Sequence, residues 1–277
     1  MKTIQRTFLA LVLWAAAAAA GAEGIAFITN IKGEISVDGS VRPALLSELN
    51  RGQKIVVGRD SQASVMYIAS GKEYVLKGPA DYVVKDTEIT GSTAMPPVTR
   101  DTAWRASNQV LAQVGQTSAA SVRMRSIGKR KVEEPVLIYP TKGAVATLQP
   151  TLRWHDDGKA PGEVMLQAVG QEKPLVKTKA TGGSYKVPAK ALAPDTEYLW
   201  VVSVAGNELG SAKFRTLSQD ALTQVERRRP SDKADFSDRL LFTLMLQEMG
   251  AVQEARESWA RLAQERSDLP ELASFAK

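Results

Sequence analysis

The chain has 277 residues, a formal net charge of +6, one histidine and no cysteine. The lack of cysteine excludes disulfides, thiol nucleophiles and zinc sites built from thiolates. The length is sufficient for two or three small domains, and the mild basic excess suits contact with anionic polymers or lipid headgroups.

The N-terminal residues 1–22 have the pattern of a secretory signal. Lys2 and Arg6 precede a short apolar run, Phe8–Ala20, and Ala20-Gly21-Ala22 forms a small-residue cleavage site. The alternative is a retained membrane anchor, but the run is short and rich in alanine, which favours cleavage. No later segment is apolar enough to span a bilayer. We therefore expect a periplasmic, possibly secreted, protein, and the absence of cysteine excludes a lipoprotein route.

Residues 23–91 alternate short β-type runs with Gly and Asp turns. Ile35–Val37 leads into Asp38-Gly39, a strong two-residue hairpin signal. Further strands are expected at Ile55–Val57, Ser64–Ile68, Tyr74–Leu76 and Tyr82–Val84. These features predict a compact β-sandwich or β-roll.

Residues 92–134 form a predicted linker. After Met95-Pro96-Pro97, the spacing of apolar residues predicts a helix over Thr99–Gln116. A basic run follows, with Arg123, Arg125, Lys129, Arg130 and Lys131. This run is either a solvated linker or a patch that contacts anionic lipid, lipopolysaccharide or cell-wall phosphate. Nucleic acid is not an expected partner of an exported protein.

Residues 135–217 form a second predicted β-sandwich, of about 80 residues. Expected strands include Val136–Pro140, Leu152–Trp154, Val164–Val169, Tyr185–Val187 and Tyr198–Val204. In the last of these, every second residue from Tyr198 shares one face. A turn is expected at Asn207–Gly210, before a final strand.

Residues 218–277 are predicted to be helical. Apolar residues recur at helical spacing from Phe236 to Met249, and Gly250 ends that helix. A second helix follows through Trp259. The short link between the two predicts an antiparallel hairpin, and Ser267–Pro270 predicts the start of a short third helix.

The 49–79 block resembles the FecR-like domain of bacterial envelope proteins. The matching residues are Leu49, Gly52, Ile55, Gly58, Ser61, Ala63, Gly71 and Leu76. Gln53 and Ser70 stand where that family usually has Asp. The resemblance implies a β-rich periplasmic module used in signalling or surface contacts. The chain lacks the family's cytoplasmic arm and membrane helix, so the sigma-factor role is not implied.

Two further segments resemble known modules. The second β segment is similar to a fibronectin type III or immunoglobulin-like domain, with an early core Trp at Trp154 and a matching strand at Leu192, Pro194, Tyr198, Trp200 and Val202. The helical hairpin resembles one tetratricopeptide repeat at Leu246, Gly250, Ala255, Trp259 and Leu262. A single repeat must dock on the sandwich, pair with another chain or be capped by the third helix.

The sequence offers little catalytic chemistry. His155 stands in Trp154-His155-Asp156-Asp157-Gly158, which is an ordinary turn or, alternatively, a metal site. No Gly-x-Ser-x-Gly elbow accompanies any serine. We expect a mainly β protein with no catalytic residue, cofactor or metal.

Three functions remain open from the sequence. The favoured one is a non-enzymatic periplasmic adaptor or binding module that contacts cell-wall glycan or partner proteins. The second is a sensor or regulatory subunit of a membrane signalling system. The third is an envelope polysaccharide hydrolase with a carboxylate pair, which inspection of the plentiful Asp and Glu does not localise.

Overall fold

The computed structural model describes residues 24–91, 95–104, 136–158, 160–231 and 233–276, and this part of the chain is mainly β. The chain divides into two compact units. One comprises Met1–Ala69 and Glu73–Arg100, and the other comprises Ser70–Lys72 and Asp101–Lys277. The predicted signal at 1–22 and the basic run at 123–131 lie outside the described residues.

The first unit contains ten described strands in two five-stranded antiparallel sheets. The strands are β1 (Ala26–Lys32), β2 (Ile35–Val37), β3 (Ser40–Val41), β4 (Glu48–Leu49), β5 (Lys54–Val57), β6 (Gln62–Tyr67), β7 (Glu73–Lys77), β8 (Ala80–Val84), β9 (Ile89–Gly91) and β10 (Val98–Arg100). One sheet has the order β10-β7-β6-β1-β4 and the other β3-β2-β5-β8-β9.

A single apolar core fills the space between these sheets. Ile28, Val65 and Leu76 from the first sheet pack with Ile55 and Tyr82 from the second, and none of them is exposed. In strand β5 the residues alternate between exposed and buried, as expected for a strand that packs one face on a core. The expected small β-sandwich is therefore present.

Glycine and aspartate residues form tight turns and close contacts in this unit. Asp38 and Gly39 both have positive φ angles between β2 and β3, the two-residue hairpin that the sequence predicts. Gly78 meets a different requirement. A Cβ atom there would lie 1.9 Å from the carbonyl oxygen of Gly58, so only glycine allows the two backbones to approach this closely.

The predicted helix from Thr99 is wrong at its start. Val98–Arg100 forms β10, which pairs antiparallel with β7, and Arg100 lies opposite Glu73. The β-branched pair Val98-Thr99 favours a strand, and the buried Glu73 carboxylate attracts the Arg100 guanidinium. The first unit therefore extends beyond residue 91. Residues 105–116 of the predicted helix lie outside the described part.

The second unit contains a second β-sandwich. Its strands are β11 (Leu137–Tyr139), β12 (Ala144–Val145), β13 (Thr151–Trp154), β14 (Gly162–Ala168), β15 (Val176–Ala180), β16 (Ser184–Lys186), β17 (Glu197–Val204) and β18 (Asn207–Thr216). One sheet has the order β11-β13-β16 and the other β12-β18-β17-β14-β15. Only the β12–β18 pair is parallel among the described strand pairs.

The alternation predicted for the 198–204 strand is largely confirmed. Tyr198, Trp200 and Val202 are buried in one core cluster with Trp154, whereas Val204 is only half-buried. The turn predicted at Asn207–Gly210 is wrong. The chain reverses at Ala205-Gly206, both with positive φ, and residues 207–210 belong to β18. The left-handed conformation of Ala205 is the unusual element that sequence alone did not indicate.

Four described helices complete the second unit: α1 (Gln219–Arg228), α2 (Phe236–Glu248), α3 (Val252–Glu265) and α4 (Leu272–Phe275). Helix α1 was not predicted separately; the Ser218 side chain accepts from the Ala221 amide at its start. Helices α2 and α3 form the predicted hairpin around Gly250, whose φ is +80°. The ring of Phe275 in α4 stacks on Trp259 of α3. No helix in the described ranges is long and apolar enough to cross a membrane.

Candidate binding cleft

The structure describes only some of the sites that the sequence predicts. The basic residues Arg123, Arg125, Lys129, Arg130 and Lys131 lie outside the described part of the chain. The turn reading of the 154–158 segment is supported, because the Asp156 carboxylate accepts from the amides of Gly158, Gly182 and Gly183. This carboxylate therefore links two loops at one end of the sandwich. Within the described ranges, no group of three or more His, Asp or Glu side chains could hold a metal ion.

The α2–α3 hairpin docks on the sandwich through Glu254. Its Oε1 atom accepts from the Tyr139 hydroxyl at 2.7 Å and from the Ala146 amide at 2.9 Å. Burial, and then the nearby Glu254 carboxylate, raise the pKa of the Tyr139 hydroxyl above its ordinary value. Tyr139 therefore stays protonated and acts as the donor. One carboxylate oxygen thus joins α3 to strand β11 and to Ala146, the residue that follows β12.

Neighbouring contacts fix the same interface. Gln253 accepts from the Thr141 amide at 2.7 Å and donates to the Ile138 carbonyl at 3.1 Å. The carbonyl of Gly250, in the turn of the hairpin, accepts from the Ala144 amide at 3.0 Å. The close approach is possible because the facing residue is Gly143, where a Cβ would lie 3.0 Å from the Gly250 oxygen. The hairpin is therefore held at its turn and along its second helix.

The amides along β12 alternate in direction. The carbonyls of Gly143 and Val145 accept from Arg215 and Leu217 on the β18 side. The amides of Ala144 and Ala146 point the other way, to the hairpin. Both sides of this short strand are therefore hydrogen-bonded, which explains how two residues can form a stable edge.

A cleft of about 170 Å³ lies between the hairpin and the sandwich, and we call it the helix–sandwich cleft. Its apolar wall is Phe242 and Leu246 of α2. Its charged side chains are Glu254, Glu257, Arg229 and Arg261. Many drug-sized ligands occupy roughly 300–1,000 Å³, whereas one buried water needs about 10–15 Å³. The cleft therefore suits a small group.

The charges in the cleft are only partly matched. Glu257 pairs with Arg153 from β13, but neither Arg229 nor Arg261 forms an ion pair with another described residue. The Arg229 guanidinium lies over the Phe242 ring, 5.7 Å from its centroid. The second carboxylate oxygen of Glu254, Oε2, is buried and has no hydrogen-bond partner. Such an orphaned oxygen is costly, since burial removes its water without a replacement donor.

Sequence reasoning did not find these residues. Glu254, Arg229 and Arg261 belong to a highly charged helical segment in which no local motif distinguishes them. The one indication in the sequence is that a lone helical hairpin must bury its apolar face against another surface. In the structure the hairpin docks on the sandwich, and the short helix α4 also packs on the hairpin through the Phe275–Trp259 stack. No family model matches the chain, and no curated protein matches it.

Proposed function

We propose that this protein is a non-enzymatic binding protein of the bacterial cell envelope, a periplasmic adaptor that contacts cell-wall material or partner proteins. The export signal predicted at residues 1–22 supports the compartment. The observation that supports the binding role most strongly is the helix–sandwich cleft. It combines a fixed apolar wall with two arginines that have no acidic partner among the described residues.

The proposed domain types agree with this role. If β11, β13, β14, β16, β17 and β18 are labelled A, B, C, E, F and G, the sheets have the orders A-B-E and G-F-C of an immunoglobulin-like sandwich. The Tyr198 hydroxyl accepts from the amide of Ala193, five residues upstream, at 2.7 Å. This contact resembles the tyrosine corner of such domains and supports the fibronectin type III-like assignment.

The FecR-like assignment of the first sandwich has support of another kind. A Cβ atom at the pattern glycine Gly58 would lie 3.0 Å from the Cβ atom of Glu34, and the pattern residues Leu49 and Ile55 lie in the core. A module of this type would present its sheet surfaces for contact, since its interior is filled by apolar side chains.

The proposal is tested with the purified full chain and isolated peptidoglycan sacculi. Sedimentation of the protein with sacculi, together with crosslinking to envelope proteins in cells, is the expected result. A photoreactive residue at position 261 samples the cleft, and one at exposed position 256 on the same helix is the matched control. The proposal would be contradicted if the protein did not sediment with sacculi and crosslinking at position 261 did not exceed that at the control position.

A variant of the basic run separates two modes of contact. Replacement of Arg123, Arg125, Lys129, Arg130 and Lys131 by serine abolishes sedimentation if anionic polymer holds the protein through that run. Sedimentation that survives the five replacements assigns the contact to other parts of the chain, and added salt should then weaken it less.

A further inference from the structure

We propose that the helix–sandwich cleft binds a ligand group that carries both an ammonium and a carboxylate, such as the head group of an α-amino acid. This inference rests on the proposed binding function and names the chemistry of its ligand. It follows from three features of the cleft: two guanidinium groups without acidic partners, a carboxylate with one orphaned oxygen, and an apolar wall.

The anionic end of the ligand is assigned to the arginines. Guanidinium groups bind carboxylates through paired hydrogen bonds, and here Arg229 and Arg261 line the same cleft from different parts of the helical region. Arg153 and Arg215 of the same unit are each paired with a carboxylate, of Glu257 and Asp195. Neither cleft arginine forms an ion pair with a described carboxylate, although Glu254 and Glu257 line the same cleft.

The cationic end of the ligand is assigned to Glu254. Its Oε1 atom is occupied by Tyr139 and Ala146, so Oε2 is the acceptor that remains for a donor. An ammonium group provides three donors and a compensating charge. A purely anionic ligand would satisfy the arginines but bring its charge next to Glu254 and Glu257. A ligand of both charges avoids that repulsion.

The volume and the wall limit the size of the group. A cleft of about 170 Å³ admits an amino-acid head group with a small side chain, which would rest on Phe242 and Leu246. The same chemistry exists in a free amino acid and in a peptide that ends in lysine, whose side-chain ammonium lies near the terminal carboxylate. The experiment therefore includes both.

The test is titration calorimetry of the full chain with alanine and with alanyl-lysine, with acetate and methylammonium as singly charged controls. We expect one of the two doubly charged probes to bind with a Kd tighter than about 1 mM, and at least tenfold more tightly than either control. Preference for alanine identifies a free amino acid as the source, and preference for alanyl-lysine a peptide end.

Variants locate the binding. R229A and R261A should each weaken binding at least fivefold, whereas R256A, an exposed arginine of α3 outside the cleft, should leave it unchanged. Circular dichroism melts of all three variants test whether they remain folded. Binding that is equal for acetate and alanine, or equal in R261A and R256A, overturns the inference. Sedimentation with sacculi that persists in that case leaves the proposed function intact and rejects only its ligand.

Discussion

The side-chain amide of Gln53 donates a hydrogen bond to Asp38 Oδ2 at 2.9 Å, while its oxygen accepts from the Asn50 amide at 2.8 Å. The FecR-like pattern usually has Asp at this position. An aspartate could accept from Asn50 but could not donate to Asp38. In this chain, therefore, the glutamine joins the β4–β5 turn to the β2–β3 hairpin.

Replacing Gln53 by glutamate should destabilise this corner. The shape is kept, but two carboxylates now face each other, so we expect a loss of about 0.5–1.5 kcal/mol in local stability at pH 7. Hydrogen exchange of amides in β2 and β5 measures the loss. The double variant D38N/Q53E should recover most of it, because asparagine can donate to glutamate. No recovery would mean that the two side chains are not coupled.

The buried pair of Glu73 and Arg100 predicts a large effect of a single change. Glu73 is 1% exposed and also accepts from the Thr29 hydroxyl at 2.7 Å. R100M would leave a buried carboxylate without its cation, at a cost of about 3–5 kcal/mol. The exposed Arg51–Asp86 pair is the matched control, and R51M should change stability by less than about 0.5 kcal/mol. Hydrogen exchange in β1, β6 and β7 reports on both variants, and equal effects would contradict the prediction.

The Tyr198 hydroxyl should stabilise the second sandwich. Y198F leaves the Ala193 amide without its side-chain acceptor, which should cost about 1–3 kcal/mol. Y185F is the control, since Tyr185 lies on β16 and no hydrogen bond of its hydroxyl to a described residue is found. Urea unfolding followed by tryptophan fluorescence, to which the buried Trp154 and Trp200 contribute, measures the difference. A cost for Y185F as large as for Y198F would reject the tyrosine-corner role.

The Arg239–Glu265 ion pair across the hairpin should make stability depend on acid pH. Hydrogen bonding to Arg239 lowers the pKa of Glu265 below its ordinary value of about 4.5. A depressed carboxyl pKa stabilises the fold above the unfolded-state pKa, and that contribution is lost as pH falls through the folded-state pKa. The wild-type advantage over E265Q should be constant from pH 6 to 8 by urea unfolding, and should shrink only below about pH 4.5. An advantage unchanged at pH 3 would contradict this.

Glu254 should be more important to the docking of the hairpin than its neighbour Glu257. E254A leaves the Tyr139 hydroxyl and the Ala146 amide without their acceptor, and we expect a loss of about 2–3 kcal/mol. E257A removes only an exposed ion pair with Arg153, worth about 0–1 kcal/mol. Limited proteolysis at the 229–235 connection compares the two variants. Faster cleavage in E257A than in E254A would reject the assignment.

Local patterns were enough to predict the parts of the fold that depend on neighbours in sequence. The Asp38-Gly39 hairpin, the helix end at Gly250 and the buried face of Tyr198, Trp200 and Val202 are of this kind. Strand β10 could not be predicted because its determinant, Glu73, lies 27 residues away from Arg100. The cleft was still less accessible, since Glu254 and Ala146 are 108 residues apart.

The outward amides of β12 have one more consequence. An edge strand of a sheet can pair with a strand of another molecule, and proteins cover or interrupt such edges to avoid aggregation. Here the amides of Ala144 and Ala146 already donate to the Gly250 carbonyl and the Glu254 carboxylate, so they are not available to a strand of another molecule. The hairpin thus covers the edge strand of the sandwich and prevents edge-to-edge association between molecules. A chain truncated after β18 would expose this edge strand and should associate edge to edge into oligomers.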